Sequence, residues 1–378
     1  MSALYSALDT INNLKLGENG NLEYKWNLDF NELIVQYYFQ LNRTENIENL
    51  KKIFNIMLNK IFIENFNKEN IKLVYKLIAN TRDIISGKGE YLLTYMMITE
   101  LYNFSYNLKC PNIFRESIKN LVYNLIECLV ILDNEHPYGS WKDLKYLCNY
   151  HLKENINKKT INELLEDGIM NKVINLMVNQ LKNDLKSETK SLVAKWIPRE
   201  KSEKFGWITE LLAISYYKDW YNNDLNKELT PIQISKARRK CLTHFRQTVS
   251  KINKSLETTQ IYQCDLNWQN INFDKNVTSI TMRKQSNAFR NVKKDGKIRS
   301  NNDDRIKCSE NYFKYIEECN LGTKNIKGKR ISIIDFVKDA IFCNNDIEKN
   351  VINLQWDCNG KDNNKLKNVI AMVDTSAS

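Results

Sequence analysis

Apolar residues recur at three- and four-residue intervals along most of this chain, and that spacing constrains the fold more than any other feature. Leu33, Ile34, Tyr37, Tyr38 and Leu41 mark one helical stripe, and Leu50, Ile53, Phe54, Met57, Ile61 and Phe62 a second. A third covers residues 71–78 and ends near Asn80-Thr81-Arg82-Asp83; a fourth begins after Gly87-Lys88-Gly89 with Tyr91, Leu92, Tyr95 and Met96. Residues 113–132 and 141–152 continue the series, and 161–185 reads as one long or broken helix. Further helices are expected over 207–217, 231–257, 312–319 and 331–343, with Pro198 ending one at or before Ile197. With only 4 prolines and 11 glycines in 378 residues, a turn-rich all-β fold is excluded. Helices with one apolar face each bury it only against neighbours, so the expected class is mainly α, a stack of helical repeats.

The boundaries expected are an irregular arm over 1–27, turning at Gly17-Glu18-Asn19-Gly20, and a helical domain over 28–355. A polar linker over 356–365 follows, then a strand and loop over 366–378. Residues 265–300 look looser, and 293–304 reads as an exposed loop.

The formal charge is +11, which favours polyanion partners and says nothing about fold. Nine cysteines lack Cys-x-x-Cys spacing, and His136, His151 and His244 complete no zinc signature. Reduced thiols in a cytoplasmic protein are expected, as are the absence of a membrane span and of a secretory signal. Ser86-Gly87-Lys88-Gly89 departs from the phosphate-loop form and suits a helix-ending turn better. Ser140 is a plausible N-cap, with Asp143 completing a capping box. No nucleophile has its base and orienting partner, so the expectation is a protein without enzymatic activity.

Two segments concentrate cations: the helix carrying Arg238, Arg239, Lys240 and Arg246, and the stretch carrying Arg283, Lys284, Arg290, Lys293 and Lys294. These nine residues are the candidate RNA contacts, since Arg and Lys bind phosphates without regard to sequence. Phe245, Trp268 and Phe289 lie nearby and are candidates to stack on unpaired bases, the alternative being that they are core.

At the end of the chain Leu366, Val369, Ile370, Ala371, Met372 and Val373 form a short apolar run, the pattern of a buried strand. Asp374, Ser376 and Ser378 follow, three oxygen donors suited to a hard cation such as Mg²⁺.

Several motifs, read in order, resemble one family. They are Arg82-Asp83-Ile84 with Gly87-Lys88-Gly89-Glu90, then Tyr138-Gly139-Ser140-Trp141-Lys142-Asp143-Leu144, then Trp196-Ile197-Pro198-Arg199-Glu200-Lys201-Ser202. Gln355-Trp356 and the closing Asp374-x-Ser376-x-Ser378 complete the set. The chain is similar to the group called domain of unknown function 2828, found in eukaryotes and large DNA viruses. Its members look like TROVE modules, the RNA-binding helical ring of the Ro autoantigen, joined to a von Willebrand A domain. The resemblance implies a HEAT-like solenoid or ring that binds single-stranded or structured RNA, and a metal-ion-dependent adhesion site begun by Asp374, Ser376 and Ser378. It also implies a Mg²⁺ site that this chain only begins, because the family's later Thr and Asp contacts have no positions in it. A protein-interaction scaffold, docking a protein partner through helices and a metal loop, is the second expectation, and an inactive truncated remnant the third.

Overall fold

In the computed structural model, the described residues are 14–16, 20, 22–26, 29–42, 46–64, 68–131, 136–155, 160–222, 230–329, 331–343 and 345–360. The protein is mainly helical. Its only sheet among these residues is a short antiparallel pair, β1 (Leu14–Leu16) and β2 (Leu22–Tyr24), with Lys15 opposite Glu23. The expected arm thus carries a hairpin.

Two compact units divide the chain, residues 1–252 and 253–378, where the sequence pattern suggested one helical domain over 28–355. Apolar periodicity is continuous across the boundary because helix α12 runs through it, so no composition shift marks it.

The first unit opens with α1 (Phe30–Gln40) and α2 (Ile47–Asn59), the latter passing into a π turn over Lys60–Glu64. Next come α3 (Lys68–Arg82), α4 (Tyr91–Tyr106), α5 (Asn112–Cys128) and α6 (Trp141–Glu154). Helix α4 is apolar nearly all round, which suits only an interior position. It packs against α2, α3, α5 and α6. The 161–185 stretch proves broken: α7 (Ile161–Glu166) and α8 (Gly168–Lys186) meet at Asp167, whose carboxylate accepts the Met170 N–H and caps α8. Helix α9 (Val193–Trp196) stops before Pro198 as expected, and packs on α6 and α8. Helices α10 (Gly206–Tyr216), α11 (Lys218–Asn222) and α12 (Pro231–Ser255) complete this part.

The second unit holds α13 (Thr259–Cys264), α14 (Ser279–Phe289), α15 (Asp303–Asn320), α16 (Ile333–Phe342) and α17 (Asp346–Gly360). Its core gathers Phe273, Met282, Phe289, Tyr312, Tyr315 and Ile316, with Phe273 and Phe289 edge to face at 5.1 Å. Two expectations change here. The 265–300 stretch is not loose throughout, since α14 lies within it, and of the expected linker over 356–365 residues 356–360 belong to α17, while 361–365 lie outside the described residues. Polar spacing in both hid helices that bury a single narrow edge. The strand expected over 366–373 lies outside the described residues.

Candidate nucleic-acid interface

The motifs over 82–89 and 138–144 meet in space. Arg82, at the end of α3, donates from Nε and Nη2 to the two oxygens of Asp143, both at 2.8 Å. Tyr95 Oη of α4 donates to Asp143 Oδ1 at 2.5 Å, and Ser140 donates to Oδ2 through its N–H and Oγ at 2.8 and 2.9 Å. The capping box at the start of α6 is thereby formed, and its carboxylate also takes a guanidinium from another helix. Arg82 and Asp143 are 7% and 2% exposed. Burial works against the Asp143 charge, yet Arg82, Tyr95 and Ser140 together hold its carboxyl below the usual carboxylate range.

Asp83 faces His136 at 2.9 Å and accepts the Ile85 and Ser86 N–H groups, which keep its carboxyl low although burial opposes them. In the same turn, a Cβ on Gly87 would stand 2.0 Å from the Asn80 carbonyl oxygen, so only glycine lets the turn close. These motifs are a structural clasp tying α3, α4 and α6 together.

Gln355 of the Gln355-Trp356 pair has the same kind of role in the second unit. It is buried, and its amide donates to the Lys327 carbonyl at 3.1 Å, while a Cβ on Gly328 would lie 1.9 Å from the Gln355 carbonyl oxygen.

The nine expected RNA contacts divide. On α12, Arg238 is ion-paired to Glu210, and Arg246 to Glu200 at 3.1 Å. Lys240 lies over the Trp220 ring at 4.6 Å, and Arg239 is exposed. At 100° per residue, Lys236, Arg239, Lys240 and Lys251 fall within about 120° of one another around α12. Buried Cys241, Phe245 and Ile252 occupy the opposite side. Those four basic residues therefore share one solvated face, whereas Arg238 lies on the side of Phe245.

In the second unit, Arg283 bonds to Asp335 and Asp339 of α16, and Arg290, 8% exposed, bonds to Glu348 of α17. These two guanidinium groups fasten helices, Arg290 buried and Arg283 partly exposed but held by two carboxylates. Lys284 is exposed, and Lys293 and Lys294 stand on an exposed turn closed by the Val292–Ile298 bridge. Phe245 and Phe289 are 1% and 0% exposed, which removes them as base-stacking surfaces; Trp268 is covered by the Arg305 guanidinium at 3.5 Å.

A cationic group missed from the sequence surrounds the third motif. Lys142 and Lys145 of α6 lie 5.8 and 5.1 Å from the Trp196 ring centroid, and Lys195 lies 5.9 Å from it. Lys204 approaches Tyr146 and Phe205, both at 5.2 Å. Lysine-aromatic interleaving was legible only segment by segment, since 142–146 and 195–205 are joined by folding.

All nine cysteines are unpaired thiols. Among the described residues, no group of three or more His, Cys, Asp or Glu side chains is placed to hold a metal ion, and no helix is long and apolar enough to cross a membrane. Asp374, Ser376 and Ser378 lie outside the described residues. No family model and no solved structure matches the chain. An uncharacterized protein of Acanthamoeba polyphaga mimivirus is 23% identical over 381 residues, covering 97% of this chain and 56% of the viral protein. The chain thus spans little more than half the length of that relative.

Proposed function

We propose that this chain is a non-enzymatic RNA-binding scaffold of the TROVE type, its helices forming a HEAT-like array. The observation that carries this reading is the basic face of α12. Lys236, Arg239, Lys240 and Lys251 lie on one arc opposite the buried residues, and none of them forms an ion pair among the described residues. Lys284, Lys293 and Lys294 supply further exposed cations in the second unit. Mg²⁺ at Asp374, Ser376 and Ser378 belongs to this reading through the family resemblance alone.

Replacing Lys236, Arg239, Lys240 and Lys251 together by Gln is expected to weaken RNA binding at least tenfold at moderate salt. If each contacts one phosphate, the slope of log K against log salt falls by about 3 for a single strand. Titration of labelled RNA at several salt concentrations measures both. An unchanged slope would remove α12 from the interface.

A second reading, a protein-interaction scaffold, draws on α16, where Ile333, Ile334, Val337, Ile341 and Phe342 are each half or more exposed. Val337→Asp with Ile341→Asp should then abolish association seen by sedimentation and leave RNA affinity unchanged.

A further inference from the structure

The lysines around the third motif stand in an unusual electrostatic position. Lys145 and Lys195 are half-buried, and neither they nor Lys142 and Lys204 have a carboxylate within 4 Å among the described residues. Glu200, in the same loop, is taken by Arg246, and exposed Glu203 makes no ion pair with them. Burial, with Lys142 beside it, holds the Lys145 amine below the usual lysine range, and burial does the same for Lys195. Ring faces relieve a small part of this, since cation–π contacts at partly exposed sites are weak. Like charges gathered without a counter-charge leave a site that an anion would complete.

The surroundings specify the anion. Tyr146, Trp196 and Phe205 alternate with the amines, the combination by which single-strand binders take a phosphate and accept bases against flat side chains. The Arg246–Glu200 pair joins this loop to α12. We infer that Lys142, Lys145, Lys195 and Lys204 seat a backbone phosphate of an unpaired RNA strand beside Trp196. The inference rests on the RNA-binding reading above and adds to it the position of the strand.

The test uses the full chain, a uridine dodecamer that cannot pair with itself, and the double variant Lys145→Gln with Lys195→Gln. The variant is expected to bind at least tenfold more weakly, with a salt slope smaller by about 0.7, the share of the one phosphate lost. Lys145→Arg with Lys195→Arg, which keeps both charges, should bind within about threefold of the unsubstituted chain. In the unsubstituted protein, the oligonucleotide should slow amine labelling of Lys145 and Lys195, read peptide by peptide by mass spectrometry. That labelling decides alone if the double variant does not fold. Gln-variant affinity equal to that of the unsubstituted chain, or labelling indifferent to RNA, overturns the inference and leaves the α12 reading intact. Absence of RNA binding by the unsubstituted chain removes both.

Discussion

Asp143→Ala is expected to destabilise the first unit by about 3–5 kcal/mol, because it leaves the buried Arg82 guanidinium without its counter-charge. The Tyr95 hydroxyl and the Ser140 N–H lose their acceptor in the same substitution. Asp143→Asn tests the charge apart from the shape: it preserves volume, still strands Arg82, and should recover only a minor part of the loss. Urea denaturation at pH 7 gives the magnitude, and a change below about 0.5 kcal/mol for either variant would show that the clasp is not what holds α3, α4 and α6.

The pH dependence follows from the direction of the shift. Asp143 has a folded carboxyl below its unfolded value of about 3.9, so its stabilisation is fully present above that pH. It is lost as pH falls through the lower, folded value. Asp83, lowered by the Ile85 and Ser86 N–H groups and by His136, acts in the same window. The native chain should therefore lose stability steeply below about pH 4, and Asp143→Ala should show a shallower acid limb. RNA affinity of the folded variant should be unaltered, since these groups are buried.

Phe289→Ala is expected to cost the second unit about 3–5 kcal/mol through lost burial and the cavity left behind. Phe289 touches Phe273 edge to face and lies parallel to Tyr312 at 6.1 Å, so its removal opens the centre of that core. Phe245→Ala should act comparably on the first unit, where the ring packs against Tyr216 at 5.8 Å. Thermal denaturation monitored with amide exchange assigns each loss to its unit. Selective loss of RNA affinity at unchanged stability would instead return these rings to the role of base-stacking surfaces.

The difference between Phe289 and Trp196 marks how far local pattern reaches. Both aromatics sit among cations in the sequence, yet Phe289 is buried by neighbours on α15 and the segment before α14, while Trp196 stays partly exposed. Helical period identifies which side of a helix is apolar, although it left open whether the α12 cations share one face. It does not say whether a cation on the polar side meets a carboxylate. Arg283 and Arg290 look as available as Lys293 in the sequence, but Asp339 and Glu348 reach them from 56 and 58 residues away.

What the amino-acid sequence determined by itself was the mainly helical class and the approximate course of most helices. It also determined the turn at Gly87 and the cap at Ser140. These depend on interactions within a few residues, where backbone sterics and hydrophobic period act directly. Tertiary structure decided the rest: the division near residue 252, the Arg82–Asp143 pair 61 residues apart, and the gathering of Lys142, Lys145, Lys195 and Lys204. Electrostatic and packing partners are chosen by distance in space, and residues far apart along the chain become neighbours only when their helices have packed.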